Sequence, residues 1–273
     1  MFFYKMHGLG NDFVLVDSDI FLKEDIPSLA HRICERRRGV GADGLILYTK
    51  PSDNPLKMEL WNSDGSKALM CGNGIRCLAR LAFVNSWVVG KSFSILTSVG
   101  VKNITIDGEL VGVDMGIASF KTSEIPSVLE EEFFIEKEFS AGGRVWKATC
   151  VNVGNPHCVI FVDNYDDIDL EKHGKAIENS SIFPEGINVE FVIAKNQHQL
   201  QMKVWERGAG VTEACGTGAC ASFAAACKTG RASGYAEVEL PGGILNISID
   251  DDGHIKMTGP AEFAFTGEYD SSK

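Results

Sequence analysis

At 273 residues, with 44% hydrophobic and 23% charged residues, the chain has the composition of a globular protein large enough for two cores. Its formal net charge of −11 argues against a nucleic-acid partner, whose phosphates need a basic surface. No apolar run approaches a membrane span, and Met1 to Lys5 lead to Gly8 without the apolar stretch of a leader, so a cytoplasmic protein with no membrane partner is expected.

The elements come in two similar series. In the first, a strand ends in the turn Gly10-Asn11 and an apolar strand follows over residues 13–16. A helix is predicted over 27–38, with Arg36-Arg37-Arg38 complementing the dipole at its end and Gly39 taking the left-handed conformation that stops it. Residues 39–44 spell G-x-G-x-x-G, but a helix precedes them and a strand follows, the reverse of a dinucleotide site, so they are a turn. Strands over 45–49 and 57–61 lead to Cys71-Gly72-Asn73-Gly74, which opens a helix over 75–84, and strands over 93–97 and 102–106 close the series. Residues 121–144 break the pattern. The second series runs through Gly154-Asn155, a strand over 158–162, a helix over 170–179 and strands over 188–194 and 201–205. Cys215-Gly216-Thr217-Gly218 then opens a helix over 219–228, and strands over 237–240 and 245–249 follow. A last strand over 262–266 crosses back to the first series. Strands outnumber helices without regular βαβ alternation. The expectation is an α+β fold of two pseudo-symmetric lobes, each a mostly antiparallel sheet or barrel around a central helix. The lobes would be residues 1–117, with 262–273 returning to them, and 118–261.

The two series are copies of one unit. The phrase W-x9-C-G-x-G occurs at 61–74 and 205–218, and its fixed positions, together with Met58 and Met202 and with Gly10-Asn11 and Gly154-Asn155, all recur 144 residues apart. Two equivalent thiols, Cys71 and Cys215, could face each other across a pseudo-twofold axis. One would take a proton from a carbon while the other supplies one to its opposite face. Each thiol precedes a glycine-rich helix start, where free N–H groups favour a thiolate and can hold a carboxylate. A plain packing role is accepted for Cys34, Cys77, Cys150, Cys220 and Cys227. It does not explain why Cys71 and Cys215 share one phrase at one register. Taken singly, Asn11 and Asn155 could be turn residues, Glu206-Arg207 a solvated pair and His157 a satisfied buried histidine. No Cys-x-x-Cys occurs, so zinc is not expected, and in an apparently intracellular chain the eight cysteines are expected to be reduced rather than paired in structural disulfides.

Four stretches together resemble the diaminopimelate epimerases: Met6-His7-Gly8-Leu9-Gly10-Asn11-Asp12-Phe13, Met70-Cys71-Gly72-Asn73-Gly74-Ile75-Arg76-Cys77, Gly154-Asn155-Pro156-His157, and Trp205-Glu206-Arg207-Gly208-Ala209-Gly210 with Ala214-Cys215-Gly216-Thr217-Gly218. The resemblance runs from residue 6 to about 260 and implies a cofactor-independent, pyridoxal-free epimerase that interconverts LL- and meso-diaminopimelate for lysine and peptidoglycan synthesis. Cys71 and Cys215 would be its acid/base pair. Gly72, Asn73, Gly216 and Thr217 would hold the reacting carboxylate through backbone N–H groups. Asn11, Asn62, Asn155, Asn188, Glu206 and Arg207 would bind the substrate's polar ends, with His157 and Glu206 tuning the thiols. Arg207 would read the far carboxylate from a buried position and so reject proline. No metal or other cofactor takes part, and the expected assembly is a homodimer. One position departs from the pattern: some members carry Gln where this chain has Gly44, the counterpart of Asn188, which would remove one side-chain contact. Proline and hydroxyproline racemases are the nearest rivals, but they resemble one another in having His where this chain has Asn73 and in lacking the Trp-Glu-Arg-Gly-Ala-Gly run. From another class, a thiol redox or metal-binding protein would need a disulfide or metal as its working state.

Overall fold

The alternating and 3.6-residue hydrophobic patterns become, in the computed structural model, two units built on one plan. The structure describes residues 1–20, 25–52 and 55–270. The first unit is Met1–Asp114 with Thr258–Lys273, and the second is Met115–Met257.

In the first unit β1 (Phe2–Gly8) turns into β2 (Asn11–Asp17) through Leu9 and Gly10, both at positive φ (56° and 83°). That is the backbone a two-residue hairpin needs. Asn11 therefore opens a strand rather than sitting in the turn. α1 (Ile26–Cys34) carries Pro27 in its first turn, where a missing N–H costs nothing, and buries Leu29, Ala30, Ile33 and Cys34 on one stripe. It returns the chain to β3 (Gly44–Thr49), parallel to β2 with Phe13 opposite Gly44. β4 (Lys57–Asn62) pairs antiparallel with β3, and the short β5 (Lys67–Ala68) pairs with β4. α2 (Gly72–Val84), buried from Gly72 to Ala79, precedes β6 (Ser92–Thr97), β7 (Gly100–Asp107) and β8 (Leu110–Ile117).

The second unit starts with the hairpin β9 (Lys137–Ala141) and β10 (Arg144–Asn152), then β11 (Pro156–Phe161). α3 (Leu170–Glu178), capped by the Asp169 carboxylate on the Lys172 N–H, leads to β12 (Asn188–Asn196), parallel to β11 with His157 opposite Asn188. β13 (Gln199–Glu206) and β14 (Gly210–Thr212) precede α4 (Gly216–Lys228), whose residues are buried almost throughout, as a central helix requires. β15 (Tyr235–Leu240), β16 (Gly243–Ile249) and β17 (His254–Pro260) finish the unit, and the chain passes between units within β8 and within β17. β18 (Glu262–Glu268) then pairs antiparallel with β1 of the first unit.

The 144-residue offset reaches strand register. Leu45 faces Trp61 as Val189 faces Trp205, and Phe13 faces Gly44 as His157 faces Asn188. The architecture is the expected β-rich, two-lobed α+β fold, but its sheets are mixed. β2 and β3, β11 and β12, and β13 and β15 are parallel pairs joined through helices, a βαβ connection that the sequence pattern did not display. The cores are the Phe3, Val14, Leu29, Ile33 and Leu47 cluster in the first unit, and Trp146, Ile160, Phe183, Ile187 and Phe191 in the second. At about 1.5–3 kcal/mol per buried large apolar side chain, such clusters outweigh any surface ion pair.

The predicted end of α1 is corrected. The helix stops at Cys34, because Glu35 is already extended (ψ 123°) and its carboxylate accepts the N–H groups of Arg37 and Arg38. Gly39 is not left-handed; Gly41, at φ 80°, is. Gly39 is required for another reason, since a Cβ there would lie 2.2 Å from the Arg32 carbonyl oxygen. Residues 39–44 form the turn into β3, as expected.

Candidate active site

Each cysteine occupies the N-cap of its unit's central helix with nearly the same backbone: Cys71 at φ −136°, ψ 123° before α2, Cys215 at φ −118°, ψ 107° before α4. The first-turn N–H groups of Gly72 and Asn73, and of Gly216 and Thr217, lie at these helix starts, where an α-helix has no partners of its own for its first amides.

In the first unit Cys71 Sγ donates to Asn11 Oδ1 at 3.5 Å, and Asn73 Nδ2 donates to the same oxygen at 3.1 Å. The other edge of Asn11 is anchored, since its Nδ2 donates to Asp43 Oδ2 at 2.7 Å. Asp43 is held in turn by Arg36, at 2.8 Å, and Arg36 also pairs with Asp12 at 2.8 Å. Lys5, only 6% exposed, bonds Asp12 at 2.5 Å and the Gly41 carbonyl. The arginine run thus supplies one residue, Arg36, to the support of Asn11.

In the second unit Cys215 Sγ accepts the Gly218 N–H at 3.3 Å and lies 3.5 Å from Thr217 Oγ1. Asn155 Nδ2 donates to Thr217 Oγ1 at 3.3 Å, and Asn155 Oδ1 lies 2.8 Å from His157 Nε2. The other His157 nitrogen, Nδ1, is 2.6 Å from Glu190 Oε1, and both side chains are fully buried. Burial first, then the charges of Glu206 and Glu190, raise the Cys215 thiol well above its ordinary value, and the Thr217 and Gly218 contacts only partly oppose them. The helix start therefore does not make Cys215 a thiolate in the unliganded protein, contrary to the sequence expectation, because desolvation exceeds the effect of one helix end. Glu190 is itself raised by burial, against the pull of His157.

The other predicted residues divide. Glu206 lies at the end of β13, bonds Thr212 Oγ1 and acts on Cys215 through its charge. Asn188 is 4% exposed and occupied by the fold: its Nδ2 donates to the Pro156 carbonyl at 2.8 Å and its Oδ1 accepts the Arg207 N–H at 2.9 Å. Asn62 is exposed and bonds Ser66 within a turn. Arg207 is also exposed, its guanidinium 3.4 Å from the Glu185 carbonyl, so it is not the buried charge that the discrimination against proline assumed. His157 reaches Asn155 and Glu190 through its two nitrogens, so its link to the thiol passes through Asn155 and Thr217. At Gly44 a Cβ would lie 2.9 Å from the Trp61 carbonyl oxygen and 3.3 Å from Leu60 Cδ1, so close strand packing accounts for the glycine. Sequence reasoning missed Asp43, Asp12 and Glu190. Only Glu190 left a signal, a lone carboxylate in the apolar run Val189-Glu190-Phe191-Val192.

Cys34, Cys77, Cys150 and Cys220 are buried, as packing residues should be, and Cys227 is half-buried. Among the described residues, no helix is long and apolar enough to cross a membrane.

The sequence model of the family described as diaminopimelate epimerase matches residues 3–121 and 149–264. The chain is 43% identical to the diaminopimelate epimerase of Desulfitobacterium hafniense, over 96% of each chain. It is 46% identical to that of Synechococcus elongatus, over 97% of this chain and 96% of the other. Among solved structures, a phenazine biosynthesis protein of the PhzF family from Bacillus anthracis superposes with a TM-score of 0.70 at 16% identity, covering 98% of both chains. A hydroxyproline epimerase from Agrobacterium vitis does so with 0.70 at 13% identity, over 98% of this chain and 91% of the other. At these identities the two structures share a fold.

Proposed function

The chain belongs to the diaminopimelate epimerase family and is an isomerase of that activity, and from that premise we propose that Cys71 and Cys215 are its acid/base pair. One sulfur removes the α-proton of diaminopimelate, and the other returns a proton to the opposite face of the same carbon. Inversion through a planar carbanion needs negative charge to be held on the α-carboxylate as the proton leaves. The first-turn amides at Gly72, Asn73, Gly216 and Thr217 are the groups suited to hold it. The observation that carries this reading is that both cysteines cap a central helix with matching backbone geometry at positions 144 residues apart.

A two-base exchange requires the sulfurs to start in opposite protonation states. Asn11 and Asn155, each adjoining its thiol or the group bonded to it, are the polar side chains best placed to meet the substrate near its reacting end. Arg207 reads the distal carboxylate with its planar fork from an exposed position. Because that charge is solvated when empty, its contribution to rejecting proline falls below the ~3–5 kcal/mol of an uncompensated buried charge. The reading extends to a cofactor-free reaction, in the cytoplasm, by a homodimer supplying lysine and peptidoglycan precursors.

The test is isomer analysis in D2O starting from LL-diaminopimelate. Product should carry deuterium while recovered substrate stays mostly protiated, and Cys71→Ala and Cys215→Ala should each lose orders of magnitude in rate. Near-normal epimerisation by either variant would overturn the assignment. Activity lost on exhaustive dialysis against a chelator would refute the cofactor-free reaction, and a monomeric mass by light scattering would refute the dimer.

A further inference from the structure

The 144-residue offset isolates one chemical difference between the two half-sites. In the first unit the strand residues beneath the helix start are Phe13 and Ile46, and a Cβ on Gly74 would lie 3.0 Å from Ile46 Cδ1 and 3.5 Å from Phe13 Cζ. Their counterparts in the second unit are His157 and Glu190, and a Cβ on Gly218 would lie 2.9 Å from Glu190 Oε1. An apolar pair on one side is thus replaced by a fully buried His–Glu pair, 2.6 Å apart, on the other. Burying such a pair costs several kcal/mol of desolvation, and well-packed apolar residues commonly do as well or better for stability. The first unit fills the same place with them, so packing alone does not account for the pair.

The hydrogen bonds give it a direction. A lone buried anion is disfavoured, so the pair holds a proton, either as imidazolium with carboxylate or as imidazole with carboxylic acid. In both forms Nε2 of His157 carries a hydrogen. That hydrogen goes to Asn155 Oδ1 at 2.8 Å, which turns Nδ2 toward Thr217 Oγ1 at 3.3 Å. The Thr217 hydroxyl can then spend its own hydrogen on Cys215 Sγ, 3.5 Å away. In the first unit the order is reversed. The Asp43 carboxylate takes Asn11 Nδ2 at 2.7 Å, so Asn11 presents its oxygen to Asn73 and Cys71.

We propose that Glu190 is a positioning residue for the epimerisation: through His157 it fixes the Asn155 amide with its NH2 toward Thr217, so that Cys215 meets hydrogen-bond donors where Cys71 meets an acceptor. This rests on Cys215 being one of the acid/base pair. Two halves that share a backbone are in this way given opposite polarity at their sulfurs, which a reaction needing one proton donor and one acceptor requires.

The test grafts the first unit's solution onto the second. The double variant His157→Phe/Glu190→Ile, and separately Glu190→Gln, are compared with wild type by thermal unfolding, by kcat and KM for LL-diaminopimelate, and by the rates at which methyl methanethiosulfonate modifies the Cys71 and Cys215 peptides. The double variant should unfold at or above the wild-type temperature, with kcat down about tenfold or more and KM changed less than about threefold, since the loss is one of orientation. Modification of Cys215 should differ from wild type while that of Cys71 stays unchanged, because the variant loses both the donor that Asn155 aims through Thr217 and the Glu190 charge that raises the thiol. If the double variant does not fold, Glu190→Gln is read by the same measures. Unchanged kcat and unchanged Cys215 modification would overturn the proposal, as would an equal change at both thiols. The thiol rates are read without turnover, so a wild-type protein inactive on diaminopimelate would refute the functional reading and leave the Glu190 result to stand or fall separately.

Discussion

Replacing Asp12 by Asn should destabilise the first unit in a way that depends on pH. Burial alone would raise this carboxyl, but hydrogen bonds from Arg36 and Lys5, aided by the Lys5 charge, draw it from 3.8 down to about 2. At 1.36 kcal/mol per unit, that difference is worth about 2 kcal/mol of folding stability. The folded-state value is the lower one, so the stabilisation is complete above about pH 4 and is lost as pH falls toward 2. Asp12→Asn also deprives Lys5, 6% exposed, of its anion and leaves it the Gly41 carbonyl. Stranding a buried cation brings the expected loss at pH 7 to about 3–5 kcal/mol. Urea unfolding of both proteins at intervals from pH 7 to 2 gives the difference directly, with the other carboxylates cancelling. A gap below about 1 kcal/mol at pH 7, or one that persists undiminished at pH 2, would show that Asp12 is not held by this network.

Gly44→Gln should cost about 1–3 kcal/mol in thermal or urea unfolding without lowering KM, because its Cβ would press on the Trp61 carbonyl; a stable variant with a lower KM would show that the site has room. Arg207→Lys should raise KM for diaminopimelate while leaving stability within about 0.5 kcal/mol, since the side chain is exposed and Asn188 is bonded by the Arg207 backbone. An unchanged KM would remove Arg207 from substrate recognition. Cys77→Ala, at a fully buried position, should destabilise by about 1–2 kcal/mol and leave kcat near wild type; a large fall in kcat would implicate a third thiol.

The strands and the central helices were legible because each is a long periodic segment with a glycine-rich start, and the repeat set both cysteines in one context before any geometry was known. The end of α1 was not, because three arginines before a glycine look like a helix end whether or not the helix reaches them. Here Glu35 captures the turn and Arg36 is diverted to Asp12 and Asp43. The parallel crossovers were hidden for a similar reason, since a short apolar strand carries no mark of its partner's direction. His157 and Glu190 meet through one of those parallel pairings, so neither residue announced the other. For Cys215 the thiolate expectation failed on depth. Sequence shows a helix start, but not that its sulfur is buried with two glutamates near it.

The seating of β1 has a consequence for the order in which the protein can be made. β1 lies between β2, which follows it at once, and β18, whose Glu268 pairs with Phe2. During synthesis one edge of β1 therefore stays open until nearly the whole chain has been added, whereas Met115–Met257 is one continuous stretch with its own core. The later-synthesised unit can finish first, reversing the usual N-to-C sequence of domain folding. Until β18 arrives, the N-terminal unit presents an unpaired strand edge, the surface most prone to misassociation. Expression yield should accordingly be more sensitive to lesions in Glu262–Glu268 than the exposure of that strand suggests.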